Sequence, residues 1–139
     1  MSHTRFVIIA GCGRLGSLLA YELSRAGDSV VVIDLDERKF AALSSGFGGF
    51  RVVGDALEAA VLRRAQIERA DCFLATTAED NTNLMLVQVA KTIFNVPVVI
   101  ARLFNPLYAP IYREMGIDAV SPTALAAAAF EGIIAEHSG

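Results

Sequence analysis

An apolar strand that runs straight into a spaced glycine loop constrains this chain more than any other feature. Phe6-Val-Ile-Ile-Ala10 is followed by Gly11, Gly13 and Gly16, and a helical pattern begins at once. Eighteen positions past Gly16 (34 − 16), a second apolar run, Val30-Val-Val-Ile33, ends in Asp34. Strand, G-x-G-x-x-G, helix, strand and acid together mark a dinucleotide-binding βαβ unit. Each part has a physical task. Gly11 permits the tight turn, Gly13 lets backbone approach a pyrophosphate, and Gly16 lets the helix pack close to the strand. Unpaired N–H groups at the helix start face the phosphates. The carboxylate of Asp34 can accept hydrogen bonds from ribose hydroxyls. A glycine loop alone is a common turn; the flanking strand, helix and acid carry the reading.

The rest of the chain repeats the alternation. Strands are expected at Arg5–Ala10, Ser29–Ile33, Phe50–Val53, Cys72–Ala75, Pro97–Ala101 and Ile117–Val120. Helices are expected at Leu15–Ala26, Glu37–Leu43, Leu57–Arg64, Asn81–Phe94, Leu107–Met115 and Ala124–His137. Six βα units predict an α/β fold, a doubly wound parallel six-stranded sheet of Rossmann-like type. Right-handed crossovers put helices on both faces, in strand order 3-2-1-4-5-6. A chain of 139 residues fits one domain, residues 1–139, and its 54% hydrophobic content suits strands buried on both faces. Asn105-Pro106 and Ser121-Pro122 each read as a cap before a proline at the first helical position. Asp55-Ala-Leu-Glu58 reads as a capping box, and Gly27 and Gly116 as helix-terminating glycines.

A net charge of −3 and the lack of a basic run argue against nucleic acid as a partner. No apolar run approaches the roughly 18 residues of a membrane span. Met1-Ser-His-Thr-Arg5 leads directly into the first strand, so no signal peptide is expected. Cys12 and Cys72 lack metal spacing and read as small apolar residues in a reducing cytoplasm.

Ligands of open α/β sheets bind beyond the carboxyl ends of the strands. Gly11, Cys12, Gly13 and Arg14 stand there, with Asp34 and Asp36, Gly54 and Asp55, Thr76 and Thr77, Asn81 and Asn83, and Arg102. A cation in the first turn of a helix opposes the helix dipole by a few tenths of a kcal/mol. A phosphate in the glycine loop would reverse that sign, and a guanidinium suits it bidentately. The other reading of Arg14 is a solvent-exposed arginine. At Asp34 a 2′-phosphate would meet a like charge. That argues against NADP and leaves NAD, ATP, ADP and AMP; the other reading is a capping or surface acid. Asp36 reads either as a ribose contact or as the cap of the second helix, and Asp55 either as an adenine contact or as the capping-box acid. Thr76 and Thr77 could meet phosphate or ribose, and Thr77 could instead cap the next helix. Asn83 could equally be a first-turn surface residue.

No catalytic constellation accompanies the cleft. The only histidines are His3 and His137, near the two ends. Lys39 and Lys91 are preceded four residues earlier by Leu35 and Val87, so no Tyr-x-x-x-Lys pair exists. Cys12 lies inside the glycine turn, where packing explains it better than reactivity. No His/Cys/Asp cluster has metal spacing. Three readings follow. The first is a nucleotide-sensing regulatory module. The second is the cofactor domain of an NAD-dependent oxidoreductase whose substrate domain lies elsewhere. The third, an α/β interaction protein with an empty cleft, conflicts with Arg14.

Gly11-Cys-Gly-Arg-Leu-Gly16, Asp34-Leu-Asp36, Gly54-Asp-Ala56, Ala75-Thr-Thr-Ala-Glu-Asp-Asn-Thr-Asn83, Ala101-Arg102, Gly116-Ile-Asp118 and Ser121-Pro122 occur in that order. The pattern resembles the N-terminal RCK domain (KTN or TrkA-N) of potassium channels and Trk/Ktr-type uptake systems, over about residues 5–122. The resemblance implies a non-catalytic cytoplasmic regulator, peripheral to the membrane's inner face. It implies NAD(H) or ATP/ADP as ligand and a membrane potassium transporter or channel subunit as partner. Candidate binding residues are then Gly11, Cys12, Gly13, Arg14, Leu15, Gly16, Asp34, Leu35, Asp36, Gly54, Asp55, Ala56, Thr76, Thr77, Asn83 and Arg102. Arg14 would meet a phosphate, Asp34 the ribose, and Asp55 would lie near the adenine. Arg102 matches a family position that meets either ligand or a neighbouring subunit. The resemblance also implies a homodimer or a higher ring. The small and apolar residues of segment 123–137 (Ala124, Leu125, Ala128, Ala129, Gly132, Ile133) fit a dimer contact; a helix covering the sheet fits them as well. No second, C-terminal ligand domain follows, which points to a fragment or a single-domain member.

Overall fold

The structure, a computed structural model, describes residues 4–138. Its strands are β1 (Phe6–Ala10), β2 (Ser29–Asp34), β3 (Phe50–Val53), β4 (Cys72–Ala75), β5 (Val98–Arg102) and β6 (Asp118–Val120). The α-helices are α1 (Arg14–Arg25), α2 (Ala59–Arg64), α3 (Asp80–Thr92), α4 (Ala109–Glu114) and α5 (Pro122–His137). Every strand pairing is parallel, and the order is β3-β2-β1-β4-β5-β6, as the sequence predicts. All carboxyl ends therefore open on one edge of the sheet.

Successive residues of a strand face opposite sides, and here both sides are covered. Ile8 and Ala10 join Ile33, Phe73, Leu86 and Val87 in one core layer. Val7 and Ile9 join Val30, Val32, Phe40 and Leu74 in the other. A sheet buried on both faces explains the unbroken apolar runs. Among the described residues no helix is long and apolar enough to cross a membrane.

Four expectations are corrected. The second helix is a 3-10 helix, Glu37–Ala42, capped by Asp36 and anchored by buried Phe40. The fifth helix divides into a 3-10 turn, Pro106–Tyr108, and then α4, because Pro110 has no N–H to bond back toward Pro106. The capping box does not form. Asp55 Oδ1 accepts from the nearer amide of Leu57 at 2.9 Å, and α2 starts only after Glu58. The fourth concerns α5: its Ser121 cap holds, with Ala124 N–H donating to Oγ, but none of its residues is buried. The helix does not cover the sheet. Leu125, Phe130, Ile133 and Ile134 are all more than half exposed.

The caps at Asn105 and Ser121 and the left-handed glycines Gly27 and Gly116 stand as expected. His3 lies outside the described residues.

Candidate functional site

The glycine loop connects β1 to α1 and is packed from below. Gly11 has φ +112°, and its N–H donates to the Ile33 carbonyl at 2.9 Å, tying the loop to β2. A Cβ on Gly11 would stand 2.8 Å from the backbone of Thr76 and Thr77. A Cβ on Gly16 would overlap the Gly11 carbonyl oxygen and stand 2.8 Å from Thr76 Oγ1. Gly13 is different: its Cβ would meet nothing within 4 Å. Arg14 is the first residue of α1, whose first turn carries no acid. Among the described residues no carboxylate pairs with it.

The cleft at the sheet edge measures about 590 Å³, within the usual range for cofactor sites. Of the expected residues, Gly11, Cys12, Gly13, Arg14, Asp34, Leu35, Gly54, Asp55, Ala56, Thr76, Thr77 and Arg102 line it. Leu15, Gly16, Asp36 and Asn83 do not. Gly16 serves packing, as described. Asp36 takes its capping role: its carboxylate accepts from Arg38 N–H and from the Arg38 guanidinium at 3.0–3.1 Å. Those bonds hold its carboxyl below the usual carboxylate range.

Asn83 is a correction. It is no surface residue but is wholly buried. Its Oδ1 accepts from Thr77 N–H at 2.9 Å and Thr77 Oγ1–H at 2.7 Å. Its Nδ2 donates to the carbonyls of Thr77 and Arg102, both at 3.1 Å. The amide braces the loop after β4 against the end of β5. Thr76 braces likewise, donating from Oγ1 to the Gly11 carbonyl at 2.8 Å.

Asp34 has two structural bonds before any ligand arrives. Cys12 N–H donates to Oδ2 at 2.8 Å and Asp36 N–H to Oδ1 at 2.9 Å. A carboxylate offers about four acceptor sites, so two remain for ribose hydroxyls. Cys12 itself is 1% exposed, and burial, with Asp34 adding, pushes its thiol up from the ordinary value. That makes it an inert packing residue.

Arg102 ends β5 with its guanidinium 4.2 Å from the Phe104 ring centre. Its Nε is buried and has no hydrogen-bond partner among the described residues. A buried N–H without an acceptor is costly, and this one lies at a cleft wall. The sequence reading missed Lys39, Leu57, Glu79, Thr82 and Phe104, which also line the cleft, together with the apolar Ala10, Ile33, Ala78 and Leu86. Lys39 sits on a 3-10 helix that turns back over the strand ends, and no local pattern signals that direction.

The TrkA-N domain family model matches residues 7–122. The chain belongs to the TrkA-N domain family. Over 115 residues it is 43% identical to the Trk system potassium uptake protein TrkA of Streptomyces coelicolor, covering 83% of this chain and 52% of that protein. The chain thus spans about half the length of that relative. Among solved structures, the TrkA-N domain of the inner membrane protein ybaL of Escherichia coli has the same fold. Its TM-score is 0.82 at 22% identity, over 96% of this chain and 98% of that one. The GsuK channel bound to NAD superposes with TM-score 0.80 at 26% identity, over 95% of this chain and 23% of that one. The same protein has also been solved bound to ADP. Among the described residues, this TrkA-N chain has no group of three or more metal-ligating side chains.

Proposed function

We propose that this TrkA-N chain is a single nucleotide-binding domain, residues 1–139 with a core at 5–122, that senses NAD(H) or ATP/ADP and regulates potassium transport. The observation that carries the reading is a cleft whose cations lack protein partners. Among the described residues Arg14 stands unpaired at a helix start, and Arg102 has a buried N–H with no acceptor. Both await an anion. Gly13 gives the phosphates their approach, with Arg14 beside them. Asp34 takes the ribose, and Leu35, Ala56 and Leu57 supply an apolar wall for adenine beside Asp55. GsuK, solved with NAD and with ADP, supports an adenine nucleotide here, and the relatives named for potassium uptake support the regulated process. The domain works as a binding module rather than an enzyme, at the cytoplasmic side of a membrane transporter or channel subunit. Its exposed α5 pairs with a second copy to make a dimer or a higher ring.

The test is calorimetric titration of NAD, NADH, ATP and ADP into the wild-type chain and Arg14→Ala. Charged hydrogen bonds contribute about 1.5–3 kcal/mol. Arg14→Ala therefore weakens the preferred nucleotide about tenfold to a hundredfold. Tightest binding of NADH or NAD with measurable hydride turnover would favour a dehydrogenase cofactor domain instead. No binding of any nucleotide would overturn the proposal.

A further inference from the structure

The two halves of the cleft have different supports. The first half, made by the glycine loop, Asp34 and Gly54-Asp55, is held by bonds among β1, β2 and β3. The second half is made by Thr76, Thr77, Glu79, Thr82, Arg102 and Phe104; Thr76 is tied to β1 and the glycine loop, and the loops around Thr77, Arg102 and Phe104 are held from α3. Two α3 residues do this. Asn83 joins Thr77 to the Arg102 carbonyl. One turn earlier, Asp80 Oδ1 accepts from Phe104 N–H at 2.7 Å and Oδ2 from Asn105 N–H at 3.1 Å. The clamp extends outward: Tyr112 OH donates to the Asp80 carbonyl at 3.3 Å, and Asn105 Oδ1 caps the 3-10 turn by accepting from Leu107 N–H. Beyond it lies an exposed apolar strip in which Leu107 is 81% and Ile111 52% exposed.

We infer that Asn83 and Asp80 are positioning residues that couple occupancy of the Arg102 half of the cleft to segment 103–115. Through them, the domain distinguishes a nucleotide long enough to reach Arg102 from an adenosine monophosphate that fills only the Asp34 half. The inference rests on the nucleotide-binding reading above. Its physical basis is that the Asn83 amide spends its donor and acceptor on two loops at once, inside the core. A shift of the Arg102 main chain toward a ligand cannot occur without moving Thr77 or breaking a buried bond. Asp80 carries the same constraint to Phe104 and Asn105. An acceptor supplied to Arg102 Nε therefore tightens the whole clamp, whereas a ligand bound only at Asp34 leaves it untouched.

The experiment is hydrogen exchange of the whole chain, free and saturated with NAD, ATP or AMP, in the wild type, Asn83→Ala and Asp80→Asn. In the wild type, NAD or ATP should slow exchange at 103–115 about fivefold or more, the lower range for coupled sites. AMP should bind without that protection. In both variants AMP affinity should stay near the wild-type value, while the protection gained at 103–115 from NAD or ATP is lost. Asp80→Asn, at a half-exposed position, carries the test if Asn83→Ala does not fold. A merely structural role would raise exchange in the free variants but leave the nucleotide-induced gain intact. That result, or equal protection by AMP, overturns the inference alone. Failure of all three nucleotides to bind the wild type overturns the function as well.

Discussion

Replacing Gly13 and Gly16 one at a time with alanine separates the binding role of the glycine loop from its packing role. At Gly16 the new Cβ overlaps the Gly11 carbonyl oxygen. It also stands 2.8 Å from Thr76 Oγ1, against 3.4 Å for ordinary contact, a shortfall of 0.6 Å (3.4 − 2.8). Both neighbours are pinned, Gly11 through Ile33 and Thr76 through Gly11. Helix α1 must therefore move outward. Overpacking costs about 1–3 kcal/mol, and because a backbone oxygen is struck, the upper end applies. Alanine recovers about 1 kcal/mol of helix propensity. The net loss of ~2 kcal/mol lowers Tm by about 8 °C for a domain of this size. At Gly13 the backbone lies at φ −86°, which alanine adopts, and nothing stands within 4 Å. The free protein should keep its Tm or gain slightly. On the proposed reading, however, the methyl group stands in the path of the phosphates. The same ~1–3 kcal/mol of overpacking then falls on the complex and weakens binding about fivefold to 150-fold. Calorimetric melting, with and without NAD or ATP, and titration of both variants read the two effects apart. Wild-type affinity in Gly13→Ala would refute the backbone-approach argument. A wild-type Tm in Gly16→Ala would refute the close packing of α1 on the loop.

Three further outcomes are expected. Asp28 accepts from the Arg5 N–H and guanidinium at 3.0–3.2 Å, which holds its carboxyl below the ordinary value. Its contribution is complete above about pH 4, the unfolded carboxylate range, and fades as pH falls through the lower folded value. Denaturation followed from pH 7 to pH 2 should show an acid limb that Asp28→Asn flattens; an unchanged limb would remove the pair from the account. Cys12, buried and raised, should react with a thiol reagent only as the chain unfolds, and labelling of the native protein by mass spectrometry would contradict that. Phe130→Ser combined with Ile133→Asp, both on exposed α5, should reduce self-association in sedimentation without lowering the Tm of the monomer. A wild-type sedimentation profile would move the contact elsewhere.

Short-range signals carried the fold. The glycine loop, the Asn-Pro and Ser-Pro caps and the unbroken apolar strands each act within a few residues, and the sheet order is that of the doubly wound fold they imply. Where a cap had a nearer competitor, as at Asp55, or a proline removed a donor, as at Pro110, the local prediction failed for a local reason. The cleft was legible on the side where its residues are consecutive in the chain. On the other side Thr76, Thr77 and Arg102 were legible, but Glu79, Thr82 and Phe104 were not. Asn83 has the residue type and position of a helix-surface amide, yet it bonds to a carbonyl 19 positions away.

Sequence alone therefore determined the doubly wound sheet, the glycine loop with its helix start, and the acid at the end of β2 that lines the cleft. Periodicity and backbone freedom are properties of neighbouring residues. Tertiary structure decided which polar side chains face the cleft and which brace it. It placed Asn83 inside the core, turned Lys39 and Phe104 toward the strand ends and left α5 standing clear of the sheet. Those outcomes depend on contacts between segments far apart in the chain, and such contacts exist only once the sheet has brought the segments together.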